Sequence, residues 1–175
     1  MVKWTENGLV VRVANTKPSP FLVSIAEDPG MFDAMHTEGY QPVAVDLGCG
    51  NGRNSEYLKS EGGFKVYSYD KHPDYEHANK WNAGETVPHY SNTVDVVLCQ
   101  FVVMFLTDEE IEHTFAEVTR MLKHRGLAVF QTENVKTGRN IPLRELLTKY
   151  APRQNGWEYA VRTKKAAVID RIRER

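Results

Sequence analysis

Three glycines in five residues, Gly48-Cys49-Gly50-Asn51-Gly52, follow directly on the short apolar run Val43-Ala44-Val45-Asp46-Leu47. That run reads as a buried parallel strand, and residues from about Asn54 to Glu61 read as a helix stopped by Gly62-Gly63. Between a buried strand and a helix, a glycine-rich turn lets a ligand lie close against main chain, since side chains there would block the approach. The spacing narrows the ligand. Arg53 follows Gly52, so the last glycine of the G-x-G-x-x-G dinucleotide fingerprint is missing. No Gly-Lys-Ser/Thr follows either, which excludes a P-loop.

Further strands and helices alternate downstream. Lys65 to Tyr69 makes a second strand ending at Asp70, and Val94 to Cys99 a third. Thr107 stands three residues before Glu110, as in a capping box, and Ile111, Phe115, Val118 and Leu122 continue at helical spacing to an exit at Gly126. Leu127 to Thr132 is another strand, and Leu143 to Tyr150 a helix. Glu158 to Arg162 and Ala166 to Arg171 form a C-terminal antiparallel hairpin joined near Thr163-Lys164-Lys165. The alternation predicts an α/β fold with a doubly wound, mostly parallel sheet and helices on both faces. With 175 residues, one domain is expected over 1–175. It divides into an N-terminal cap at 1–42 (a helix or two plus irregular chain), a core at 43–135, and a C-terminal helix and hairpin at 136–175.

Composition removes several classes. A net charge of −1 gives no general attraction to nucleic acid or membrane. The longest apolar run, Phe101 to Leu106, is far too short to span a bilayer, and the N-terminus lacks an apolar signal core. Cys49 and Cys99 make no disulfide framework, and the Cys and His spacings suggest no metal. A cytoplasmic protein is expected.

Asp46 lies two residues before Gly48, where its carboxylate repels a pyrophosphate and attracts a cation. Asp70 closes the next strand, where a carboxylate accepts hydrogen bonds from both hydroxyls of a ribose. Either acid alone is equally well read as a turn cap. Together with the glycine spacing they favour a ligand that joins a nucleoside to a cation.

Val43 to Gly52, Asp70, and the segment Glu117-Val-Thr-Arg-Met-Leu-Lys-His-Arg-Gly-Leu-Ala-Val129 resemble the class I S-adenosylmethionine (SAM)-dependent methyltransferases. The resemblance covers roughly residues 43 to 135 and implies a Rossmann-like fold, a methyltransferase activity and SAM as cofactor. Within that superfamily, the tellurite-resistance (TehB-type) enzymes look similar at Asp46 to Ser55 with Tyr57-Leu58, at Tyr69-Asp70-Lys71, at Val102 to Leu106, and at Gly156-Trp157-Glu158. Their arginine- and histidine-bearing tail is not visible here, so the likeness speaks for the cofactor and not for the substrate. It implies cofactor contacts from Asp46, Gly48, Cys49, Gly50, Asn51, Gly52, Arg53, Asp70, Lys71, Asn82, Ala83 and Cys99.

One interval departs from that pattern. Only eleven residues separate Asp70 from Asn82, which stands where the family carries an aspartate. A full helix and strand do not fit, so the fold is expected to be reduced after its second strand, with His77 to Trp81 as a short edge strand. Asn82 can still meet an adenine amino group through its side-chain carbonyl.

The resemblance places the methyl acceptor over the strand ends near Cys99, Gln100, Phe101 and Glu133-Asn134. There Gln100 is a candidate to orient the acceptor, Phe101 to contact it, and Glu133 to take a proton, although Gln100 and Glu133 read more readily as ordinary solvated or hydrogen-bonded loop side chains and neither is assigned as catalytic. A small-molecule acceptor is expected. Two alternatives stay open: methylation of nucleic acid or protein through the basic tail at Arg162 to Arg175, and a SAM-binding sensor without catalysis.

Overall fold

A computed structural model of the chain describes residues 2–4, 10–12, 15–132, 141, 143–150, 158–163 and 166–168. A seven-stranded sheet organises it. The strands are β3 (Val43–Leu47), β4 (Lys65–Asp70), β5 (Ala78–Lys80), β6 (Val94–Gln100), β7 (Leu122–Gln131), β8 (Glu158–Thr163) and β9 (Ala166–Val168). Their spatial order is β5-β4-β3-β6-β7-β8-β9. Neighbours from β5 through β8 run parallel, and β9 pairs antiparallel with β8 at the edge. A separate two-stranded antiparallel pair, β1 (Val2–Trp4) with β2 (Val10–Arg12), lies within the stretch expected to be helical and irregular.

Side-chain alternation assigns the helices to faces. Val45, Leu47, Val97, Cys99, Ala128 and Phe130 pack with Ile111, Phe115, Val118 and Met121 of α3 (Asp108–Met121) and with Leu143 and Leu146 of α4 (Leu143–Tyr150). The intervening residues Ala44, Val96, Leu98, Leu127 and Val129 pack with Phe21, Leu22 and Ile25 of α1 (Pro20–Ala26) and Leu58 of α2 (Arg53–Ser60). Both faces are therefore apolar and covered, as a parallel sheet requires. Ser19 caps α1 ahead of a proline at its first position, and Thr107 with Glu110 forms the complete capping box of α3.

Two elements differ from their expected form. Helix α3 ends at Met121, five residues before Gly126, and β7 starts at once with an irregularity that shifts its register against β6. Arg125, not Gly126, takes the left-handed backbone there, at φ 63°. Gly126 is needed for a different reason: a Cβ on it would lie 3.0 Å from Lys123 O and 3.2 Å from Asp95 O. The interval after Asp70 holds a turn followed by β5, which pairs parallel with the end of β4.

Strand register aligns Leu47 with Tyr69, and Gln100 with Gln131, so the loops after β3, β4, β6 and β7 emerge along one edge of the sheet. Chain order reverses direction between β3 and β6, and a crevice opens there. Among the described residues no helix is long and apolar enough to cross a membrane.

Candidate ligand site

At that reversal lies a cavity of about 360 Å³, lined by residues at the ends of four strands and by the start of α3. Gly48 comes from the β3 loop, Asp70 and Lys71 from the end of β4, and Trp81, Asn82 and Ala83 from the chain after β5. Phe101, Val102, Phe105 and Leu106 follow β6, and Glu110 opens α3. The size suits a small ligand. Two carboxylates stand against one ammonium in this lining, which disfavours a diphosphate and accepts a neutral or cationic ligand.

Asp70 ties the cavity to the glycine loop. Its Oδ2 accepts the Gly50 N–H at 2.8 Å and its Oδ1 the His72 N–H at 2.8 Å. Carboxylate oxygens have about four acceptor positions in all, so two remain for ligand hydroxyls. Asn82 is oriented by Glu85, whose Oε1 accepts the Asn82 Nδ2–H₂ at 3.1 Å. That contact requires the amide nitrogen on the Glu85 side and leaves Oδ1 as the acceptor, which is what an amino group on a purine needs. Trp81 donates from Nε1 to Glu85 O at 2.9 Å and from its main chain to Asp70 O at 2.9 Å. The wall is thereby stitched to β4.

The glycine loop itself divides by position. All three glycines hold positive φ: 72° at Gly48, 54° at Gly50 and 77° at Gly52. A Cβ on Gly48 would strike Val102 Cγ2 at 2.2 Å, and one on Gly52 would strike the Tyr75 ring at 2.4 Å. Only at Gly50 does a Cβ meet nothing within 4 Å. The Cβ directions of Gly48 and Gly52 are thus closed by the protein's own side chains and that of Gly50 is open, while Gly48 is the loop glycine whose main chain lines the cavity.

Other expected contacts fall elsewhere. Asp46 is buried beneath the loop on the α2 side of the sheet, with its Oδ2 accepting from Ser55 Oγ at 2.7 Å and Ser55 Oγ accepting in turn from Ser68 at 2.8 Å. Burial raises its carboxyl to about 6, against the Ser55 hydroxyl, which lowers it. Cys49 is buried outside the cavity lining, and burial, with Asp46 and Asp70 adding, pushes its thiol up to about 12. Such a thiol is not a nucleophile. Cys99 is fully buried in the core cluster beneath α3 and does not reach the cavity lining. Its thiol is raised as well, chiefly by burial. Asn51 and Arg53 point to the N-terminal segment: Asn51 Nδ2 donates to Asn15 O at 3.1 Å and Arg53 Nη1 to Lys17 O at 3.2 Å.

Gln100 is not exposed to a substrate. It is 6% exposed and lies in a closed network of amides and a hydroxyl. Its Nε2 donates to Ser19 Oγ at 3.1 Å and Gln131 Oε1 at 2.9 Å, and its Oε1 accepts from Asn54 Nδ2 at 2.9 Å. The need to satisfy a buried amide explains this placement. Phe101 does line the cavity, at a left-handed φ of 59°, with its N–H on Gln131 O. Glu133 and Asn134 lie outside the described residues, as does most of the basic tail. Among the described residues no group of three or more His, Cys, Asp or Glu is placed to hold a metal ion.

Trp81, Val102, Phe105, Leu106 and Glu110 line the cavity without having been singled out for it. For Val102 to Leu106 the family-like segment was a usable signal. Glu110 carried one too, since the capping box places it at the mouth of α3.

Comparison with known proteins adds to this geometry. Residues 45–130 match a family described as methyltransferase domain. A TehB-like SAM-dependent methyltransferase from Corynebacterium glutamicum is 27% identical, over 56% of this chain and 57% of that one, with a TM-score of 0.46. A geranyl diphosphate methyltransferase solved with GPP and sinefungin is 18% identical, over 69% of this chain and 50% of that one, with a TM-score of 0.47. Phosphoethanolamine N-methyltransferase 2 of Haemonchus contortus, solved with phosphomonomethylethanolamine and S-adenosylhomocysteine, is 15% identical, over 74% and 32%, at a TM-score of 0.48. This chain spans less than two thirds of the length of each. No curated protein matches the chain.

Proposed function

We propose that the protein, whose residues 45–130 match a methyltransferase domain family, binds SAM in the crevice beside Gly48 and Asp70 and methylates a small-molecule acceptor. One observation carries this reading. Asp70, at the end of β4, holds the Gly50 N–H and still faces a cavity whose other polar groups are Lys71, Asn82 and Glu110. A nucleoside fits that set: hydroxyls on Asp70, a purine amino group on Asn82 Oδ1, and a ring between Trp81, Ala83, Val102 and Leu106. The open space at Gly50 leaves main chain bare for the remainder of the ligand.

When bound, SAM supplies a methyl group already activated by its sulfonium. The protein's part is then to orient and to exclude water, which can supply roughly 7–11 kcal/mol of the barrier. Phe101, Val102, Phe105 and Leu106 provide the apolar wall for this. Asp46, under the loop, offers a negative charge toward a ligand cation. The buried Cys49 and Cys99 thiols, unpaired in the fold, fit a reducing compartment, and the cytoplasm is the location we assign.

Calorimetry with S-adenosylhomocysteine, together with mass spectrometry of nucleosides carried through purification, tests cofactor binding. A methyl-acceptor screen then tests the small-molecule class. A protein that binds neither compound, or that prefers a dinucleotide, overturns the reading. One that binds SAM but converts it with no acceptor is a sensor.

A further inference from the structure

The turn that replaces a helix after β4 carries one half-buried aromatic, Tyr75, among otherwise exposed residues 71–77. Its ring lies against Gly52, where a Cβ would come within 2.4–2.7 Å of three ring carbons, and Gly52 is buried in consequence. The hydroxyl of Tyr75 is held by Glu56 and Lys59, both on α2, and the Lys59 ammonium stands 5.0 Å from the ring centroid. Tyr75 O accepts the Ala78 N–H at 2.9 Å, at the start of β5. A single residue therefore bridges the end of the glycine loop and the first two turns of α2 through its side chain, and is anchored in the shortened β4–β5 turn through its main chain. Asp70 bridges the same two segments from within, through Gly50 and His72.

We infer that Tyr75 is a cofactor-positioning residue that substitutes for the missing helix, fixing the glycine loop and Asp70 in their ligand-ready arrangement. The inference rests on the SAM reading above. A loop with three left-handed glycines has many conformations open to it, and binding is weakened by whatever ordering the ligand itself must impose. The ring on Gly52 removes that freedom beforehand. Ring contact matters most here, and the hydroxyl anchors are secondary.

The test measures S-adenosylhomocysteine affinity and melting temperature for the intact protein and its variants. Tyr75→Phe keeps the ring and should bind within about three-fold of wild type, whereas Tyr75→Ala should bind about ten-fold or more weakly through lost pre-organisation. Gly52→Ala should also weaken binding, because its new methyl group displaces the ring. Combined with Tyr75→Ala it should cost less than the two separate losses together. Tyr75→Leu serves if the alanine variant does not fold, and must weaken binding in the same direction. Wild-type affinity in Tyr75→Ala or Tyr75→Leu, with only the melting temperature lowered, overturns the inference. Wild-type protein that takes up no S-adenosylhomocysteine instead overturns the cofactor reading itself.

Discussion

Val102 occupies the space beside Gly48 so closely that a Cβ on the glycine would lie 2.2 Å from Val102 Cγ2. Val102, two residues past the end of β6, thus makes the first glycine obligatory, while nothing lies within 4 Å of a Cβ placed on Gly50. This separates two effects of substitution in one loop. Gly48→Ala must both hold a left-handed backbone, at about 1–2 kcal/mol, and push Val102 aside, at about 1–3 kcal/mol. Gly50→Ala carries only the backbone term, yet places a methyl group in the open space assigned to the ligand. Chemical denaturation should therefore find Gly48→Ala the less stable, and calorimetry should find that Gly50→Val has lost S-adenosylhomocysteine. Wild-type affinity in Gly50→Val would remove the loop from the binding site.

Asp70→Asn should lose affinity and some stability together. An amide can accept one of the two N–H groups that Asp70 now holds, but turns a donor toward the other. The lost charge-assisted bond corresponds to about 1.5–3 kcal/mol, and the ribose contact is weakened besides. Isothermal calorimetry should show an affinity drop beyond that of Gly48→Ala at comparable stability. An unchanged affinity would leave Asp70 as a loop brace only.

Much of this frame is legible in residue order, for physical reasons that also mark where reading stops. β3 and β6 are buried on both faces, so their largely apolar runs stand out, and the α3 capping box is a local arrangement of Thr107 and Glu110. The eleven residues after Asp70 could hold only a turn and an edge strand. By contrast, α3 ends at Met121 because Leu122 is drawn into pairing opposite Val94, a tertiary choice that helical periodicity does not reveal. β1 and β2 are three residues each, too short for an alternation to register. In the site, Asp70 stood out by its place at a strand end and Asn82 by its place in the family resemblance. Trp81 and the Val102–Gly48 and Tyr75–Gly52 contacts were not, since each joins segments distant in sequence. Gln100 illustrates the converse: its position suggested an acceptor contact, but Ser19 and Asn54 claim its amide from outside the strand.

Asp46 should make stability fall as pH rises. Its carboxyl ionises near 3.8 unfolded and at about 6 in the fold, because burial penalises the charge. The contribution is full below about pH 4 and is lost as pH rises through 6, amounting to about 3 kcal/mol by 1.4 kcal/mol per pKa unit. Asp46→Asn keeps an acceptor for Ser55 and removes the ionisation. Melting temperatures should match wild type near pH 4 and exceed it at pH 8, while S-adenosylhomocysteine affinity at pH 8 falls with the missing anion. A wild-type pH slope in the variant would assign the effect to another group.

Arg120→Ala should loosen the cavity wall from a distance. Arg120 donates Nη2 to Glu117 Oε2 at 2.7 Å and to Val87 O at 2.9 Å, and Nη1 to His89 O at 2.7 Å. Glu117 Oε2 also accepts the Val87 N–H at 2.8 Å. This pair on α3 therefore grips the chain that follows Trp81, Asn82 and Ala83. Removing the guanidinium leaves a carboxylate only 7% exposed without its counter-charge, and two carbonyls without a donor. Breaking a buried pair of this kind costs about 3–5 kcal/mol, and the partial exposure of Arg120 argues for the lower end. Glu117→Gln with Arg120→Ala removes the stranded charge and should recover part of the loss in urea denaturation. Neither variant touches the cavity, so weaker S-adenosylhomocysteine binding in both would trace the wall's position to the α3 clamp. A loss below about 1 kcal/mol in Arg120→Ala, the level of an ordinary surface pair, would mean that Trp81 and Asp70 hold the wall unaided.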